Sequence, residues 1–131
     1  MTSSSSAPTS PTGELVIRTI AMPADANANG DIFGGWLMSQ MDLGGAILAR
    51  GTAHSRVTTV AIDGMSFLRP VNVGDIVSCY AHLLGVGRTS MKIRVEAWVQ
   101  RFTDGPPLHV TEGNLTYVAI DTDGKPHPVK R

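Results

Sequence analysis

The chain has 131 residues, enough for one domain with a real core and too few for two. Apolar residues make up 42% and charged residues 17%, the profile of a folded globular domain rather than of a disordered or membrane-embedded chain. Lys plus Arg number 11 and Asp plus Glu also 11, so no net charge favours nucleic acid or an anionic membrane as partner, and any anion site must be local.

Residues 1–12 are almost wholly Ser, Thr, Pro and Ala. They cannot bury enough surface to offset the entropy of ordering and are expected to form a disordered tail. No basic-then-apolar leader is visible, and no apolar run approaches the roughly 20 residues of a membrane span. The single cysteine, Cys79, leaves no intrachain disulfide. A reducing compartment, the cytoplasm, is the expectation. Cys79 lies in the apolar stretch from Ile76 to Leu84 and reads as a small core residue, not a nucleophile.

A first strand is expected from Leu15 to Met22, stopped by Pro23, and Ala24 to Asp31 form a loop by their Asn, Asp and Gly content. From about Gly35 to Gly51 the pattern is helical and apolar on nearly every face (Trp36, Leu37, Met38, Met41, Leu43, Ala46, Ile47, Leu48). A helix apolar all round is a buried helix. Strands follow over Val57 to Leu68, Ile76 to Val86, Thr89 to Phe102 and Leu108 to Ile120, with short connections that favour antiparallel pairing. In the fourth strand Met91, Ile93, Val95, Ala97 and Val99 share one face. Lys92, Arg94, Glu96 and Gln100 share the other, with Trp98 packing on a neighbour. The expected fold class is α+β: a long central helix wrapped by a curved antiparallel sheet of about five strands. The domain covers 13–122, and 123–131 form a C-terminal tail. A sheet on one side leaves the helix needing cover on the other, so self-association as a dimer is expected.

Asp42 breaks the helix pattern. It lies too far in to be a cap, and Met38, Ser39, Gly45 and Ala46, its neighbours at three and four residues, offer no cation. A desolvated lone carboxylate costs stability and is retained where it has a task. The rival readings are an ion pair with an Arg from a strand, or a carboxylate facing water at a subunit boundary. Gly34 and Gly35 open the helix, where free backbone N–H groups and the helix dipole suit a developing negative charge. Gly44 and Gly45, mid-helix, read as close packing. One carboxylate plus an oxyanion donor suffices for thioester hydrolysis, because a thiol of pKa about 8.5 leaves without a strong general acid. The four histidines are scattered, and no metal-ligand spacing, P-loop or dinucleotide fingerprint occurs, so neither metal nor cofactor is expected.

The run from Asp25 through Asn27, Gly30, Asp31, Ile32, Phe33, Gly34, Gly35 and Trp36 to Met41-Asp42 closely resembles the acyl-CoA thioesterases of the hotdog fold, their bacterial YciA-like branch in particular. Met65 to Pro70, Val73-Gly74-Asp75 and Val86 to Ser90 agree in place, and the likeness runs from about Leu15 to Asp121. The resemblance implies that Asp42 is the catalytic carboxylate, as base or nucleophile. It implies Asn27 in the site across a dimer interface, and backbone N–H groups near Gly35 on the thioester carbonyl. It also implies a double-hotdog dimer, often a trimer of dimers. Coenzyme A, part of substrate and product, needs cations. Arg88 with Ser90 is the first choice, and Arg56 and Arg69 are the second. Related chains often continue into a C-terminal helix, whereas only Asp121 to Arg131 follow here, which bears on the hexamer more than on the fold. Two other functions remain open: a non-catalytic acyl-CoA sensor, and a hotdog hydratase or dehydratase. Against the dehydratase stands the absence of a histidine near the helix start.

Overall fold

The computed structural model describes residues 10–101 and 105–129. Of the disordered tail expected over 1–12, residues 1–9 lie outside these, as do the end of the fourth predicted strand at Phe102 and the last two residues. Thr12 is tied down, its backbone N–H meeting Glu96 Oε1 at 3.1 Å. Chain order is β1 (Glu14–Ile20), a single 3-10 turn (Pro23–Asp25), α1 (Gly34–Ala53), β2 (Arg56–Asp63), β3 (Ile76–Val86), β4 (Ser90–Gln100) and β5 (Leu108–Ile120). The strands form one antiparallel sheet in the order β1-β3-β4-β5-β2, and α1 packs against all five. This is the hotdog arrangement.

The core lies between the helix and the inward face of the sheet. Leu37, Met41 and Ala49 from α1 meet Val77, Cys79, Ile93, Val95, Leu115 and Tyr117. Gly44 lets the helix settle there: a Cβ at that position would stand 2.7 Å from Val16 Cγ2. β2 stops at Asp63, short of the expected Leu68, because Gly64 turns the chain at a φ of +70°. The loop that follows is tied back to β5, Leu68 N–H donating to the Val110 carbonyl at 2.7 Å. Beyond β5 the chain folds back: Val129 is buried, and its N–H reaches the Arg88 carbonyl at 2.8 Å.

The sheet covers one side of the helix, as expected, and leaves the other open. Leu43 is 54% exposed and Ile47 52%, and beside them Val60, on the edge strand β2, is 56% exposed. Five strands cover one side of a helix, so its apolar composition records a second surface that a single chain leaves open. One expectation needs correction: the outer face of β4 is not simply solvated. Glu96 is 1% exposed, and its Oε1 accepts the Trp98 indole N–H at 2.9 Å and the Thr12 backbone N–H at 3.1 Å. Trp98 in turn packs on the His109 ring. Strict alternation specifies which side of the sheet a residue takes, not whether something lies over it.

Candidate active site

Asp42 sits in the third turn of α1, half-buried. It is tied to two hydroxyls, not to an arginine. Thr59 on β2 donates to Oδ1 at 2.6 Å. Tyr117 on β5 donates to the Asp42 main-chain carbonyl at 2.7 Å and stands 3.1 Å from Oδ1. Thr59 and Tyr117 are register partners across β2 and β5, so adjacent strands present both groups to one helical residue. Burial, with the Asp42 charge beside it, drives the Tyr117 phenol far above its ordinary pKa, so this hydroxyl stays protonated and able to donate. Oδ2 has no hydrogen-bond partner among the described residues. The carboxylate is therefore not sunk among apolar groups: one oxygen is anchored and the other is open, next to exposed Leu43. Such an arrangement holds a base or nucleophile in one rotamer while leaving it free to react.

At the start of α1, Phe33 provides no side-chain cap, and its carbonyl takes the N–H groups of Trp36 and Leu37. Those of Gly34 and Gly35 have no acceptor among the described residues, and both glycines are exposed. Their free donors and the helix dipole make an anion-stabilising mouth. A cleft of about 230 Å³ opens beside them, lined in part by Phe33, Gly34, Leu37, Phe67 and Arg69. Asn27 lies in the loop leading in. Its side-chain oxygen accepts the N–H groups of Asn29 at 2.9 Å and Asp31 at 3.2 Å, the turn chemistry expected of an asparagine, while its Nδ2 has no partner among the described residues.

The fold separates the sequence-predicted residues into two groups. Asp42 follows Gly35 by seven residues of helix, about 10 Å along the axis. Asp42 is held toward the far end, since its partner Tyr117 pairs with Met91, next to the Ser90–Val118 pair. Arg56 pairs with Ile120 at that same end and lines a shallow depression with Arg50 and Val57. Arg88 is exposed in the turn between β3 and β4, and Ser90 begins β4. Arg69 is at the opposite end, its guanidinium donating to the His109 carbonyl at 2.7 Å. From His109 to Val118 is about 30 Å of strand. One chain thus brings Asp42 together with Arg56, Arg88 and Ser90. It leaves Gly34, Gly35, Asn27 and Arg69 at the other end.

Sequence reasoning missed Thr59 and Tyr117. Both lie on strands whose pairing with each other and with the helix is a tertiary fact, and neither residue type stands out in a strand. Cys79 is fully buried, and burial pushes its thiol up to about 12, as an inert core cysteine requires. Among the described residues no group of three His, Cys, Asp or Glu is placed to hold a metal, and no helix is long and apolar enough to cross a membrane.

A helix cradled by a five-stranded antiparallel sheet, with a carboxylate on its open side and free N–H groups at its mouth, defines a hotdog-fold thioesterase. Residues 29–101 match the thioesterase superfamily, and the chain belongs to that family. It is 60% identical over 122 residues to the acyl-CoA thioester hydrolase YciA of Salmonella typhimurium, covering 91% of this chain and 92% of the relative. The hexameric thioesterase y2039 of Yersinia pestis superposes with a TM-score of 0.87 at 56% identity, covering 92% of this chain and 98% of that one. HI0827, a hexameric broad-specificity acyl-coenzyme A thioesterase, gives a TM-score of 0.88 at 52% identity, covering 93% and 84%.

Proposed function

We propose that the chain hydrolyses acyl-CoA thioesters to a free carboxylic acid and coenzyme A, as a cytoplasmic homo-oligomer whose active sites are each shared by two protomers. The observation that carries this is the half-buried Asp42 carboxylate, pinned through Oδ1 by Thr59 with Oδ2 free of hydrogen-bond partners among the described residues. An isologous dimer across the β2 edge and the Leu43–Ile47 face runs two helices antiparallel. The mouth of one helix then lies over the Asp42 end of the other, joining the two groups of residues that a single chain keeps apart.

In that composite site the N–H groups of Gly34 and Gly35 from one protomer receive the thioester oxygen as it gains charge. The free Nδ2 of Asn27 lies beside them. Asp42 of the other protomer supplies Oδ2. It either takes a proton from a water that attacks the carbonyl carbon, or attacks that carbon itself to form an anhydride that water then opens. The C–S bond breaks in either route and coenzyme A leaves as its thiolate, so neither a strong acid nor a further cofactor is needed. Arg88 and Arg56, with the Ser90 hydroxyl, sit on Asp42's side to meet the phosphates. Arg69 belongs to the helix-mouth cleft instead. Hexamers among the relatives support three such dimers assembling together.

The test is thiol release from a panel of acyl-CoAs by wild type and by Asp42→Asn. Turnover that disappears in the variant supports the proposal. Tight binding with no turnover in either protein would identify an acyl-CoA sensor, and loss of conjugation in an enoyl-CoA a hydratase. Single turnover in ¹⁸O-water that leaves label in the Asp42 carboxylate identifies the nucleophilic route with water opening the anhydride at the aspartyl carbon.

A further inference from the structure

Tyr117 is wholly buried on β5, and a buried hydroxyl must find a partner or destabilise the fold. It donates to atoms of Asp42, the main-chain carbonyl at 2.7 Å with Oδ1 at 3.1 Å, and the Thr59 hydroxyl is a further hydrogen-bond neighbour. Thr59 brings its own proton to Oδ1 at 2.6 Å. The two hydroxyls therefore divide the work: the phenol holds the backbone of Asp42 to the sheet, and the threonine sets the rotamer of its carboxylate. The helix makes room for this at Gly45. A Cβ there would land on the phenol oxygen and come within 3.0 Å of Cζ and 3.1 Å of Cε1. Glycine inside a helix costs about 1 kcal/mol against alanine, so its presence one turn after Asp42 marks a place where space outweighs helix propensity.

We infer that Tyr117 is a positioning residue for Asp42 and that Gly45 is the helical counterpart that admits it. Phenylalanine would fill the same volume; what tyrosine adds is contact with the working residue. The inference rests on the reading of Asp42 as that residue.

Tyr117→Phe tests it. The expected result is kcat lowered about tenfold, the equivalent of about one hydrogen bond, with KM within twofold, since the phenol is wholly buried and closed to solvent. Gly45→Ala, which keeps the hydroxyl but forces it away from the helix, is expected to give the same kcat-only loss, and it serves if the first variant does not fold. Wild-type kcat per folded protomer in either variant overturns the inference, as does a loss confined to KM or to the folded fraction. Asp42→Asn, assayed alongside, separates the two levels. Full turnover in Asp42→Asn removes the reading of Asp42 itself. Lost turnover there with unchanged kcat in Tyr117→Phe removes only the role of Tyr117.

Discussion

Replacing Thr59 by valine exchanges one hydroxyl for a methyl of similar size and removes the 2.6 Å bond to Asp42 Oδ1. Two limits bound the effect. If the bond does no more than select one of three staggered χ1 wells, its loss dilutes the productive rotamer about threefold. If its full worth as a charge-assisted bond, about 1.5–3 kcal/mol, is felt in the transition state, the loss is about 10- to 150-fold. Thr59 is half-buried and Tyr117 still holds the Asp42 backbone, so the expected value lies between, at about tenfold in kcat with KM unchanged. Thr59→Ser retains the donor and is expected to stay within about threefold of wild type on the lower of these limits. The assay is steady-state thiol release with a chromogenic disulfide, with melting temperatures recorded to confirm folding. Equal kcat for Thr59→Val and wild type, with Asp42→Asn inactive, would refute the claim that an anchored Oδ1 is needed for a working Oδ2.

Aspartate at both Leu43 and Ile47 should dissolve the self-association, since each side chain is about half exposed in one chain and is proposed to be covered in the dimer. Gel filtration should show monomer with no turnover, and an active assembly of unchanged size would remove this face from the interface. Gly44→Ala should destabilise by about 1–3 kcal/mol through overpacking against Val16. Gly51→Ala, where an added Cβ meets nothing within 4 Å, should instead stabilise by about 1 kcal/mol. Chemical denaturation reads both, and the opposite order would contradict the packing account of Gly44. Cys79 should resist iodoacetamide at pH 8 in the folded protein and react on unfolding, which mass spectrometry reports. Because its thiol holds its proton up to about 12 when folded, its contribution is intact below pH 9 and declines as pH rises from there. Rapid native-state labelling at pH 8 would show the site to be open.

Much of this protein was legible in its residues because the signals are local. Alternation of apolar and polar positions marked the strands, a sustained apolar run marked α1, and a lone acid within it marked Asp42. The glycine pair at the helix start showed where backbone donors would be free. The errors are of one kind: each needed knowledge of what lies across a contact. Periodicity placed Glu96 on the outer face without revealing the indole and backbone N–H that bury it. Apolar composition announced that α1 would need cover beyond the sheet, but not that Leu43 and Ile47 are the residues left open on that side.

The amino-acid order by itself determined the elements, the odd carboxylate and the helix mouth, since these follow from nearest-neighbour chemistry and the two backbone periods. Only the tertiary structure decided that Asp42 meets two hydroxyls, that Gly45 exists to admit one of them, and that Arg56, Arg88 and Ser90 lie on the opposite side of the molecule from Gly35. Strand order and register produce those encounters. They bring together residues 17 and 75 positions apart, distances over which a linear pattern carries no information.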